Sequence, residues 1–436
     1  MTQWIRVLVR ISPQSPLLFG THQVGNFQET ADHIPGSSLR GAVAERLLAQ
    51  CMTHNQLTDH ADCPDRATCP FWHLFGEAEP RFGDAYPGPL GPVWPLPLTA
   101  RTCKRYPGWQ SGSLKEAHGL RDALFVDFAY GLISDPQFSH RAQLQPDLGE
   151  SWSSAWRPEL RADHDWCQFQ RSSGQSCAQP MSPANGFYAH DGAAFLPAKS
   201  FRRMRTTHVG INRARSVAQD ELLFTQEALT VTRQATAFFA EIDVLAEQKA
   251  ALLEALLGTH YLGRGRSRGY GQVVIATETG APLPPLDDRL FDFQLTAVAA
   301  LTPYQAIDAR VQTTLPGQLF SLTLRTSAIL QQGGQPLRVP TPEQAGLPAG
   351  TLLLRAWART EQVGGWNSAA GLPRRTQVAT RAGSVFLYFA PDGIVDRSQL
   401  IKALTCLETT GIGDERARGY GRVTCCAPFH VLQSGY

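Results

Sequence analysis

Lysine is scarce in this sequence: only 5 of its 40 basic residues are lysine, and the other 35 are arginine. Net charge is scarce too. The 40 basic and 38 acidic residues leave a formal charge of +2, which argues against both a disordered polyelectrolyte and a uniformly basic sheath. No apolar run approaches the roughly 20 residues that span a bilayer, so no membrane partner is expected. The chain opens directly on the strand-like pattern MTQWIRVLVRI and is expected to be cytoplasmic. Nine cysteines, an odd number, do not suit a disulfide scaffold in a chain of 436 residues. Clustered thiols in a reducing compartment point to metal instead.

The length itself suggests two or three domains with ample core. Glycine (38) and proline (30) are plentiful, which implies many loops rather than a helical bundle. The planar, five-donor arginine fork suits phosphate and stacks on bases, so the arginine bias fits contact with RNA. A GC-rich genome would produce the same bias through codon usage.

A repeat organises the chain. Residues 262–273 read LGRGRSRGYGQV and residues 412–423 read IGDERARGYGRV; seven of twelve positions agree at a shift of 150. Before the first copy, a helix is expected from about Ile242 to Leu257; before the second, from Arg397 to Leu407. A short β-like run follows each copy, at Val273–Ile275 and Val423–Cys425. Each half also opens on an alternating run read as a strand, Trp4–Ile11 and Phe291–Val298, with further strands at Phe320–Leu330, Thr351–Trp357 and Val385–Phe389. Two copies of one fold explain this most simply. The first domain would span 1–280 and the second 291–436, joined by a proline-rich linker at 281–290. A large cysteine-bearing insertion at about 51–235 accounts for the greater length of the first.

The run Ile34-Pro35-Gly36-Ser37-Ser38-Leu39-Arg40-Gly41 reads as a turn feeding a helix, with Ser37 or Ser38 able to cap it. A helix N-terminus with hydroxyls and an arginine is also a ready phosphate site. The bland reading is simply a capped helix.

IPGSSLRGA followed far downstream by GRGRSRGYG resembles the RAMP superfamily, the RNA-binding subunits of CRISPR effector complexes. The doubled glycine loop, the single IPGSSLRG and the long insertion are similar to the Csx-ten, Cas-five-like subunits of type III-D complexes. This resemblance implies an α+β fold of tandem ferredoxin-like (RRM-type) domains. It also implies a non-catalytic subunit that holds the 5′ tag of the guide crRNA and meets target RNA only indirectly. Its partners would be the large signalling subunit and a Cas-seven-like backbone subunit.

The chemistry of the loop agrees. Gly263, Gly265, Gly269 and Gly271 permit positive φ and close backbone approach, which frees N–H groups for phosphate oxygens. Arg266 and Arg268 supply charge, and Tyr270 can stack on a base or pack beneath the loop. In the second copy Asp414 and Glu415 make a phosphate cradle less suitable, so that loop reads as structural or protein-facing. The segment Lys199–Phe224 carries Arg202, Arg203, Arg205, His208, Arg213 and Arg215 among apolar residues, a basic arm for RNA.

Cys51, Cys63 and Cys69 lie within 23 residues among His54, His60 and His73. Zinc takes four N or S ligands, and Cys51, His60, Cys63 and Cys69 would supply them, against a reading as free thiols. Cys103, Cys167 and Cys177 form a second candidate set with His118 or His164. Cys406, Cys425 and Cys426 are expected in the core.

Catalytic signals are weak. Asp32, just before Ile34, occupies the loop in which the backbone subunits of type III complexes carry a cleaving aspartate, and would support metal-dependent endoribonuclease chemistry. His208 would support guide processing by general acid–base catalysis. Neither a nucleophile elbow nor a Walker loop is present in the sequence.

Overall fold

The computed structural model describes residues 3–51, 66–76, 78–110, 117–134, 165–170, 174–190, 195–198, 200–212, 215, 217–230, 237–306, 309, 313–367 and 371–431. Trp4–Pro13 (β1) alternates as its sequence requires, burying Val7, Val9 and Ile11 on one face. It is followed by the helix Gly36–Ala49 (α1) and the short strand Arg81–Phe82 (β2). The insertion contributes the helix Leu124–Ser134 (α2) and a ribbon of two long strands, Arg202–Asn212 (β3) and Val217–Thr230 (β4). The chain then returns through Ala237–Leu245 (β5), Lys249–Leu256 (α3) and Gln272–Glu278 (β6).

In the first sheet β1 is central. Val7 lies opposite Ile242 of β5, Ile11 lies opposite Ile275 of β6, and β2 pairs with the far side of β5. The order β6–β1–β5–β2 with a β-α-β-β-α-β succession is the ferredoxin-like arrangement expected. Leu39, Val43 and Leu47 of α1 and Leu252 and Leu256 of α3 seal this core against the sheet. The expected helix from Ile242 starts later. Residues up to Leu245 are strand, buried along most of their length between two neighbours, and helix begins only after a short turn at Ala246–Gln248.

The second half contains Leu286–Gln305 (α4), Gly317–Leu324 (β7), Leu352–Trp357 (β8), Val385–Pro391 (β9), Arg397–Thr410 (α5) and Val423–Cys425 (β10). Its sheet runs β8–β9–β7–β10, the same relative order as the first. The expected strand at Phe291–Val298 is instead the middle of α4. Leu290, Phe293, Ala297, Leu301 and Tyr304 are buried at helical spacing, while Phe291 and Leu295 face outward at 65% and 58% exposure. The alternation read over eight residues was a fragment of that longer 3.6-residue period. The helix enters through Pro285, with Asp287 and Asp288 in its first turn, so the linker is shorter than 281–290.

No helix lies between β7 and β8 among the described residues. The cover comes from elsewhere: α4 packs on β7, and α2, from the insertion in the first half, packs on α4. Leu124, Phe125, Phe128, Ala129 and Leu132 are buried in the same cluster as Phe293, Phe320 and Phe389. The insertion therefore completes the core of the second half. Among the described residues no helix is long and apolar enough to cross a membrane.

Candidate nucleic-acid interface

The two glycine loops adopt one backbone design. In the first, Leu262 donates to Gly271 O, Arg268 to Gly265 O, and Gly269 to Arg266 O; in the second, Ile412, Arg418 and Gly419 donate to Gly421, Glu415 and Arg416 in the same pattern. Each loop is tied to an upstream segment: Arg264 and Gly271 donate to Leu18 and Pro16, Asp414 and Gly421 to Ile329 and Ser327. Gly265 and Gly269 sit at φ 81° and 84°, conformations glycine adopts without steric penalty. In the second copy Glu415 takes the left-handed conformation of Gly265, at φ 52°.

Their surroundings differ. Around Gly269 a Cβ atom would meet nothing within 4 Å, and Arg266, Ser267 and Arg268 are exposed. Gly419 is buried, and a Cβ there would lie 2.3 Å from Phe82 O and 3.4 Å from Gly36 Cα. The second loop thus seats the second half on β2 and the start of α1, while the first faces solvent.

Arg266 donates to both carboxylate oxygens of Glu45 on α1 at 2.8 Å, an exposed pair. Arg268 is exposed, and its side chain has no partner among the described residues. Tyr270 is half-buried beside Gly265. Arg264, which sequence reasoning passed over, is exposed and reaches Gln28 at 3.4 Å. Gln28 belongs to the strand Phe27–Thr30, which pairs with β4, and the Arg205 guanidinium lies 5.2 Å from the centre of the Phe27 ring. The glycine loop and the basic ribbon are therefore joined through one hairpin.

On the ribbon, Arg202, Arg203 and Arg205 are exposed, and Arg203 and Arg205 share Glu227, at 2.6 and 3.2 Å. Burial works to raise the Glu227 pKa, but the two guanidinium groups hold it below the usual range. His208 stacks on Phe224 at 5.2 Å, and its buried Nε2 has no hydrogen-bond partner among the described residues. Arg213 lies outside the described residues.

The IPGSSLRG turn forms as expected, but not through serine capping. Pro35 is the N-cap, neither serine supplies a cap bond, and Gly36 N donates instead to Asp84 Oδ1 at 2.8 Å. Sequence spacing could not find Asp84, which arrives from 48 residues away. Ser37 and Ser38 are half-buried, and Arg40 pairs with Glu79. Asp32 accepts from His33 Nδ1 at 3.0 Å, and His33 Nε2 lies 3.9 Å from Asp84. Burial works to lower the His33 pKa, but the Asp32 hydrogen bond and the charges of Asp84 and Glu361 outweigh it and raise it to about 9. Asp32 is pulled below its ordinary value by His33 despite burial, while burial raises Asp84.

For the first cysteine set, His60 and Cys63 lie outside the described residues. Cys51 is half-buried, and Cys69 accepts from Trp72 N at 3.5 Å at the start of a short helix. The second set comes together: the ligand atoms of Cys103, His118, Cys167 and Cys177 all lie within 4.8 Å of one another, a group able to hold a metal ion. Of the expected core thiols, Cys425 and Cys426 are buried, but Cys406 is exposed on the outer face of α5.

A family model described as the RAMP superfamily matches residues 10–274. A second, described as CRISPR-associated protein (Cas_Cmr3), matches residues 189–426. The chain belongs to the RAMP superfamily and to the Cmr3 family. Among solved structures, a chain of the type III-B Cmr-beta complex bound to cognate target RNA and AMPPnP is 8% identical, with 87% of this chain and 86% of that one covered and a TM-score of 0.38. A Cas6 product complex gives 16% identity, 45% and 79% coverage and a TM-score of 0.28. No curated protein matches the sequence. In this RAMP protein the first glycine loop meets α1 through Arg266 and Glu45, and the strand beside the ribbon through Arg264 and Gln28. What the motifs did not reveal is the set of acids, Glu45, Glu79, Asp84 and Glu227, that partners most of the cationic and N–H groups there.

Proposed function

We propose that this RAMP protein is a non-catalytic, RNA-binding subunit of a type III CRISPR effector complex, holding the 5′ tag of the guide crRNA. The observation that carries the reading is the contrast between the loops. One backbone design occurs twice; the copy rich in acids is spent on joining the halves, and the arginine-rich copy is left open to solvent. An exposed turn with left-handed glycines, the exposed Arg268 and a neighbouring arginine ribbon suits a phosphodiester chain. Arg266, Arg203, Arg205 and Arg40 would exchange protein carboxylates for RNA phosphates, with Ser37, Ser38, Arg202, Arg213, His208, Tyr270 and the Gly269 and Gly271 backbone completing the contact surface.

The finer placement as a type III-D, Csx-ten-like subunit rests on the doubled loop and the long cysteine-bearing insertion. Docking on a large signalling subunit and a Cas-seven-like backbone subunit belongs to the same reading, as does cytoplasmic location. Asp32 and His208 are read as structural or RNA-contacting groups, with Asp32 held by His33 and His208 stacked on Phe224. Crosslinking of copurified RNA should map to Tyr270 and the ribbon; crosslinks absent from both would overturn the assignment. Complexes carrying Asp32→Ala or His208→Ala should assemble and cut RNA as the parent does. Loss of cutting with assembly intact would make this subunit a nuclease.

A further inference from the structure

The insertion brings three thiols and an imidazole to one point. Cys103 ends the strand Ala100–Cys103, which pairs with Leu120–Asp122 on one side and Met181–Pro183 on the other. His118 stands just before the second of these strands. Cys167 and Cys177 lie on a separate hairpin, closed by bridges at Trp166–Pro180 and Gln170–Ser176. Its backbone folds tightly around the thiols: Cys177 donates to Phe169 O, and Ala178, at φ 50°, donates to Cys167 O.

We infer that Cys103, His118, Cys167 and Cys177 form a structural zinc site. Three thiolates and one imidazole are a ligand set of structural zinc centres, with all four positions filled by protein. A tetrahedron with Zn–S near 2.3 Å has edges of about 3.8 Å. His118 Nδ1 already lies 3.4 Å from Cys167 Sγ, and every other separation is within 4.8 Å, so small contractions complete it. Cys103, Cys167 and Cys177 are buried at 0–3% exposure and are not joined by disulfides. The imidazole is held in place: Phe169 stacks on it at 4.1 Å and 7°, and Tyr106 packs 4.4 Å away. Two ligands from each of two hairpins make the ion a crosslink between segments with little other core, since the buried members of this cluster are the three cysteines themselves.

The position gives the ion a structural task. The strand after His118 ends at Asp122, which binds His430 of the second half at 2.5 Å, and leads directly into α2. Metal at this site anchors the segment that carries α2 into the core of the second half. Because a preformed site is absent from the unfolded chain, its binding energy becomes folding energy.

The test uses the full chain, purified without chelator. Elemental analysis should find a zinc equivalent that survives in Cys51→Ser/Cys69→Ser and disappears in Cys167→Ser/Cys177→Ser. Cobalt loading of the parent chain should produce intense thiolate-to-metal absorption and tetrahedral d–d bands, a readout that does not depend on any variant folding. A folded parent with free thiols, no zinc and no such cobalt spectrum overturns the inference. So does zinc retained by Cys167→Ser/Cys177→Ser, or disulfides among these cysteines in protein kept under reducing conditions.

Discussion

Arg422, on the segment that closes the second half, donates to the Asp243 carboxylate of the first half at 2.9 Å, with both side chains under 10% exposed. Arg6 holds the same carboxylate at 2.7 Å, and Arg325 pairs with the adjacent Glu241. Trp94 Nε1 donates to Glu241 at 3.1 Å, and the Arg325 guanidinium stands 4.9 Å from the Trp94 ring centre. The halves are thus joined through largely buried ion pairs, where attraction is strong but desolvation is severe. Removing one member leaves the others buried and unbalanced. Asp243→Ala should therefore lower stability by about 3–5 kcal/mol, measured by urea unfolding. A loss within ~0.5 kcal/mol, typical of a surface site, would contradict this arrangement.

The two loops offer a matched comparison. Gly269 and Gly419 hold equivalent positions at φ 84° and 102°, but only Gly419 abuts backbone. Gly269→Ala should cost about 1 kcal/mol from the left-handed conformation alone. Gly419→Ala adds a clash with Phe82 O and should cost several times more. Equal melting temperatures for the two variants would refute the buried placement of the second loop.

Arg266 is paired with Glu45, whereas the Arg268 side chain has no such competitor among the described residues. Replacing both arginines with alanine should weaken RNA binding and reduce its salt slope by up to about 2. Glu45→Gln should do the opposite, tightening binding a few-fold by releasing Arg266 and removing a negative charge. Filter binding across a salt titration distinguishes the three proteins.

The His33 imidazole is raised from 6.5 to about 9 by Asp32 and Asp84 despite burial. Its protonated form is therefore favoured by folding. That contribution is fully present below pH 6.5 and fades as the pH climbs through 9. Urea midpoints of the parent should fall over this interval, and the difference between parent and His33→Gln should narrow with it. A constant difference from pH 6 to 9.5 would rule out an ionised pair.

Phe128 lies in the insertion yet is fully buried with Phe293 and Phe320. Phe128→Ala should destabilise the second half by about 3–5 kcal/mol, the range for deleting a buried aromatic ring. Hydrogen exchange would localise the loss to β7, β9 and α5. Protection loss confined to the insertion would contradict a shared core.

Features set by neighbours in the chain were legible. The glycine loops, the turn at Ile34–Gly41, the alternating β1 and the helix from Arg397 all follow from local spacing and backbone preference. Residues 291–298 of α4 fit both a two-residue and a 3.6-residue period, and which one holds depends on which side chains the rest of the fold covers. Serine capping failed for a related reason: the helix already begins at Gly36, so both serines lie inside the first turn, and the Gly36 N–H is met by Asp84 from 48 residues away. His118 joins the thiol cluster because two hairpins meet there, while His164 lies outside the described residues.

The sequence alone determined that this protein is a tandem α+β molecule whose two halves carry one loop design, because glycine placement and hydrophobic period act over a few residues. Only the tertiary structure decided which copy faces solvent, which acid meets each arginine, and which helix fills the second core. Those outcomes depend on pairings across as many as 402 positions, such as the Arg6 guanidinium with the Glu408 carbonyl. Burial and electrostatics, not local preference, select them.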